Sequence, residues 1–94
     1  MEAKCQRRMQ RYGWDKAVDV YEQPWRQQCA PAQTRLREMA DIRPGERVLD
    51  GACGTGLVTC RAARQVGEHG AVMGVDVAAK MVAYAQQVAA SQRL

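Results

Sequence analysis

The sequence predicts an α/β fold built on a short parallel sheet. Three observations predict it. Two short apolar runs, Val48-Leu49 and Ala71 to Val75, each lead into an aspartate, Asp50 and Asp76. A glycine-rich turn, Gly51 to Gly56, follows the first run. An apolar-periodic segment, Leu57 to Val66, links that turn to the second run. Strand, turn, helix and strand in that order form a βαβ unit, whose right-handed crossover makes the two strands parallel.

The chain has 94 residues, one small domain at most. Its 47% hydrophobic content leans on Ala, with no Phe, so each buried side chain removes little area from water. Residues 1–19 read as a polar, basic N-terminal arm. Residues 20–43 read as a helical approach, with Pro24 suited to a first helical turn and Pro31 either kinking that helix or starting another. Ala32, Leu36, Met39 and Ala40 recur at helical spacing, a stripe expected to pack on the sheet. Arg43-Pro44-Gly45-Glu46 is a turn, and the α/β part runs from there through residues 44–94. In the helix Leu57 to Val66 the inward positions are Leu57, Cys60, Ala63 and Val66, and Gly67 closes it. After Asp76 a last helix, Val77 to Ser91, carries Met81, Tyr84, Ala85 and Val88 on one face. Two strands do not make a stable open sheet, so further strands are expected from missing residues, a partner chain or a second copy.

Charge and cysteines exclude several functions. The net charge is +4 and the pI about 9.1, and the first eleven residues hold four bases against one acid. No aromatic interleaves those bases, so nucleic acid is not an expected partner. Cys5, Cys29, Cys53 and Cys60 lack Cys-x-x-Cys spacing, and the single His69 has no thiol beside it in sequence, so no metal site is expected. No secretory signal pattern is present, and the thiols read as reduced and cytoplasmic. No apolar run nears the roughly 18 residues of a membrane span.

The turn carries the chemistry. Its glycines let a ligand approach the backbone, and N–H groups at the start of the following helix are free to receive a carboxylate or phosphate. Asp50 adds a negative charge that repels a pyrophosphate and accepts a zwitterion. Asp76, twenty residues after Gly56, reaches the tip of the neighbouring strand, where a carboxylate accepts hydrogen bonds from ribose hydroxyls. A phosphate-binding P-loop needs Gly-Lys-Ser/Thr, and Leu57 follows Gly56 here. The dinucleotide fingerprint would align Gly54 and Gly56 but meets Thr59 at its third position. The third ligand class is S-adenosylmethionine, a zwitterion joined to a ribose.

The residues Val48-Leu49-Asp50, Ala52-Cys53-Gly54-Thr55-Gly56, Gly74-Val75-Asp76 and Met81 resemble the class I S-adenosylmethionine-dependent methyltransferases, in particular the small-molecule group with the ubiquinone and menaquinone biosynthesis enzymes. The resemblance covers roughly Pro44 to Ala85. It implies a partial Rossmann-like fold with an incomplete sheet, residues 44–94 being the first half of the cofactor-binding domain. It implies that Asp50, Ala52, Gly54 and Gly56 line the methionine end of the cofactor, with Gly51 and Cys53 in the same cofactor-binding loop, that Asp76 binds its ribose, and that Val77 and Met81 flank its adenine. Tyr21, Trp25 and Arg26 are the candidate lid contacts. Position 51 is usually apolar in the family, and Gly51 loosens the loop. No catalytic residue is assigned. The expected function is the N-terminal, cofactor-binding part of a small-molecule methyltransferase, truncated and inactive alone. The alternatives are a non-enzymatic split chain acting through a partner or oligomer, and a nicotinamide-dinucleotide-binding fragment.

Overall fold

Two five-residue strands set the frame. In the computed structural model, which describes residues 2–94 and their side chains except those of residues 19–26, the elements in chain order are α1 (Ala3–Ala40), β1 (Arg47–Gly51), α2 (Leu57–Val66), β2 (Ala71–Val75) and α3 (Ala79–Ser91). The strands pair in parallel, with Arg47 opposite Ala71 and Gly51 opposite Val75. Both therefore finish at the same edge, and the loops that leave them emerge side by side. The α/β order and the two-stranded parallel sheet agree with the expectation from sequence.

The sheet is covered on one face. Side chains alternate along each strand, so Val48, Asp50, Val72 and Gly74 are half-buried while their neighbours are exposed. Cys60, Ala62 and Val66 of α2 are buried. On the other face Leu49 and Met73, paired in register, are 70% and 65% exposed. Parallel sheets ordinarily carry cover on both faces.

The hairpin of turns between α1 and β1 is held by the backbone. Gly45 N–H donates to the Val66 carbonyl at 2.7 Å, and Ala71 N–H to the Glu46 carbonyl at 3.1 Å. The turn predicted at Arg43 to Glu46 thus ties the end of α2 to the start of β2.

α1 takes in both the 1–19 arm and most of the 20–43 approach. It runs unbroken past Pro31, which offers no N–H to the Gln27 carbonyl, and ends at Asp41 in the left-handed region with φ 48°. Its N-terminal half is fixed by packing: Val18 forms a buried cluster with Ala78 and Met81, joined by Ala17 and Tyr84. The expected packing of its C-terminal stripe on the sheet is not found. Ala32, Leu36, Met39 and Ala40 are exposed, and the half-buried positions are Gln33 and Arg37. Gln33 Oε1 accepts a hydrogen bond from Arg61 Nη1 of α2 at 3.4 Å. Helical spacing identifies residues that share a face but not what the face meets, and here the half-buried side of this part of α1 meets α2 through a polar contact.

Candidate functional site

The register of the sheet sets Asp50 beside Gly74 and leaves Asp76 one residue beyond the last pair. The loop after β1 lies between the two carboxylates. Cys53 N–H donates to the Val75 carbonyl at 2.8 Å, which pins this loop to the end of β2. Gly54 N–H donates to Asp76 Oδ2 at 2.9 Å, and Ala78 N–H to Asp76 Oδ1 at 2.9 Å. Asp76 thus orients the glycine loop and the entry to α3 together. Each of its oxygens keeps a further lone pair for a ligand hydroxyl. Asp50 is held from the other side: Thr59 Oγ1 donates to Asp50 Oδ2 at 2.5 Å.

Two hollows open around the loop. The larger, about 430 Å³, is lined by Trp14, Ala52, Gly54, Val75, Asp76, Val77 and Met81. The smaller, about 120 Å³, is lined by Gln33, Asp50, Ala52, Cys53, Gly54, Thr55, Leu57 and Val58. Ala52 and Gly54 belong to both, so one chain of hollows passes from Asp50 to Asp76 over the loop. A third and larger hollow, about 730 Å³, lies along α1 from Gln6 to Ala17 and contains no titratable side chain. Its polar lining is the amides of Gln6 and Gln10, with no charged group to hold a zwitterion.

Of the residues singled out from sequence, Ala52, Gly54, Asp76, Val77 and Met81 line the larger hollow, and Asp50 and Cys53 the smaller. Met81, 2% exposed, also belongs to the core. Gly51 lies in β1 and lines neither hollow. Gly56 is buried, and a Cβ there would stand 2.9 Å from the Ala85 Cβ of α3. Its φ of +87° and that close approach make it the packing point between α2 and α3. Gly54 has φ +57° and open space where a Cβ would project, so a ligand can lie against its backbone. Tyr21, Trp25 and Arg26 lie outside the residues whose side chains are described.

Burial pushes the Cys53 thiol up, and the charges of Asp76 and Asp50 push it further. A thiol so placed stays protonated and fills space between the two acids. Thr55 is buried, and its hydroxyl has no hydrogen-bond partner in the smaller hollow. α2 has no side-chain cap at its N-terminus, which leaves the amides of its first turn beside that hydroxyl.

Trp14, Thr55 and Thr59 were not found as site residues from sequence. Trp14 carried a signal: with Ala17 and Val18 it makes an i, i+3, i+4 stripe inside a segment that otherwise reads as polar. Thr59 sits one turn into α2, where a side chain points back toward the preceding strand end.

A family profile described as "Methyltransferase domain" matches residues 42–94, more than half of the chain. The chain belongs to this methyltransferase domain family. Among its relatives, a nocamycin O-methyltransferase from Saccharothrix syringae is 38% identical over 69 residues, 73% of this chain and 25% of that protein. A 2-phytyl-1,4-naphtoquinone methyltransferase from Nostoc sp. is 38% identical over 86 residues, 84% of this chain and 36% of that protein. The crystal structure of a SAM dependent methyltransferase from Aquifex aeolicus superposes with a TM-score of 0.69 at 25% identity, over 85% of this chain and 42% of the other. The match thus spans between a quarter and about two fifths of these three proteins. The methyltransferase fold is therefore present in part, as a two-stranded portion of a Rossmann-like sheet.

S-adenosylmethionine is the cofactor of such methyltransferases, and the site's own chemistry fits it. The orphaned Thr55 hydroxyl, the anchored Asp50 carboxylate and the first amides of α2 suit a zwitterionic amino-acid group. The apolar surfaces of Val77 and Met81 beside Asp76 suit a nucleoside.

Proposed function

We propose that this chain binds S-adenosylmethionine across the carboxyl ends of β1 and β2 and forms the cofactor-binding part of a small-molecule methyltransferase. The observation that carries the reading is the hydrogen bond from Gly54 N–H to Asp76, which joins the glycine loop to the second strand's acid across 22 residues. In this reading Asp76 accepts from the ribose hydroxyls, and Val77 and Met81 hold the adenine between them. Asp50, fixed by Thr59, faces the ammonium group, while Gly54 and Ala52 let the chain lie over the loop. Gly51, Cys53 and Gly56 shape that loop from behind. When bound, the cofactor supplies an electrophilic methyl group. The residues around the hollows supply position and exclusion of water, which is where most of the advantage of a direct displacement arises.

A small-molecule acceptor is favoured by the names of the relatives. The bare Leu49 and Met73 face favours a protein completed by further structure, from its own continuation or another copy, and inactive without it. Residues 20–43 serve as the approach that covers the cofactor. The four thiols, none in a disulfide, suit the cytoplasm. A dinucleotide is disfavoured because Asp50 stays beside the path a pyrophosphate would take.

Thermal unfolding of the chain with S-adenosylmethionine, with NAD and alone tests the reading. A ligand at a hundredfold its Kd stabilises the native state by about 2.7 kcal/mol. The midpoint is expected to rise by several degrees with S-adenosylmethionine, to stay unchanged with NAD, and to lose its response in Asp76→Ala. A rise with NAD alone would refute the assignment.

A further inference from the structure

α3 begins without a cap of its own. Ala78 occupies its N-cap position and no acid lies in its first turn. Its first amides are instead held by two carboxylates from elsewhere. Asp76, before the helix, takes the Ala78 N–H. Asp15, from α1, takes the Lys80 N–H through Oδ1 at 3.0 Å, a bond between residues 65 positions apart. A carboxylate at this end of a helix satisfies an orphan donor and the positive end of the helix dipole at once.

The residue before Asp15 is Trp14, which lines the 430 Å³ hollow together with Asp76, Val77 and Met81. The two residues after Asp15 and Lys16, Ala17 and Val18, pack on Ala78 and Met81. One turn of α1 thus caps α3, packs on its first turn and supplies a wall of the site. Val77, just before α3, and Met81, in its first turn, line the same hollow.

Resting on the cofactor reading above, we propose that Asp15 is a positioning residue: its bond to the Lys80 amide clasps α1 to α3 so that Trp14 closes the nucleoside end of the hollow, and closing this clasp is coupled to cofactor binding. A ligand that touches both Trp14 and the Asp76 side binds fully only when the clasp is shut. By linkage, the ligand then stabilises the shut clasp by the same factor. A cap acting only on helix stability would leave the ligand's affinity unchanged in any variant that remains folded.

Calorimetric affinity for S-adenosylmethionine in the full chain, with amide hydrogen exchange at Lys80, tests this. Asp15→Ala is expected to weaken binding about 3- to 10-fold, the range a lost cap produces, and Asp15→Asn, which still accepts a hydrogen bond, to restore most of it. Trp14→Ala is expected to weaken binding about tenfold, and Trp14→Phe less. Tyr12→Ala, on an exposed part of α1, is expected to change nothing. In the unmodified chain the cofactor is expected to slow exchange of the Lys80 amide, a readout that stands even where Asp15→Ala fails to fold. Binding that is lost in Asp76→Ala but unchanged in Asp15→Ala and Trp14→Ala, or a Lys80 amide indifferent to the cofactor, overturns the clasp and leaves the cofactor reading standing. No binding by the unmodified chain overturns both.

Discussion

Gly54 and Gly56, two residues apart in one motif, do different work. Gly56→Ala forces a Cβ to 2.9 Å from Ala85 at a left-handed φ, so it is expected to lower stability by more than the roughly 1–2 kcal/mol of the conformation itself. Gly54→Ala meets open space and pays only that conformational term, but it puts a methyl group into the path proposed for the cofactor. Chemical denaturation and cofactor titration of the two variants check this: Gly56→Ala should lose more stability, and Gly54→Ala more affinity relative to its stability. Cys53 gives a second residue-scale prediction. Burial and the two acids raise its thiol, so its thiolate fraction falls at any given pH. Its alkylation by iodoacetamide is expected to reach half its maximal rate above pH 9.0, the ordinary thiol value. A midpoint below that value would show that the acids do not act on it. The two aspartates were legible from their places at strand ends. Thr55 and Thr59 were not, because a hydroxyl's role rests on which partner the fold brings within hydrogen-bond distance.

At the scale of elements, the strands, α2 and α3 follow from apolar runs punctuated by glycine and proline, and sequence located them to within a few residues. α1 was less legible. Its polar N-terminal half hides the Trp14, Ala17 and Val18 stripe, and its strongest apolar stripe, through Leu36 and Met39, faces solvent. Pro31 reads as a boundary because it removes a helical hydrogen bond, yet α1 continues through it to Ala40. Pro31→Ala restores that bond at an exposed position and is expected to stabilise the chain by about 1–3 kcal/mol, read as a higher melting midpoint. An unchanged or lower midpoint would mean that the proline relieves strain elsewhere in α1.

Across the whole molecule the site and the sheet tell one story. The two acids, the glycine loop and α3 meet at the carboxyl edge of a parallel pair, the place where open α/β sheets bind ligands. The opposite face of that pair carries Leu49 and Met73 bare. The chain spans a quarter to about two fifths of the three proteins named above, and the proposed cofactor residues Asp50 to Met81 lie within the residues 42–94 that the family profile matches. The most direct measurement is a titration of the isotopically labelled chain with S-adenosylmethionine, following every backbone amide by NMR. The amides of Ala52, Gly54, Asp76 and Val77 are expected to move first and together. Shifts confined to the α1 groove at Gln6, Met9, Gln10 and Gly13, or no shifts at all, would contradict it.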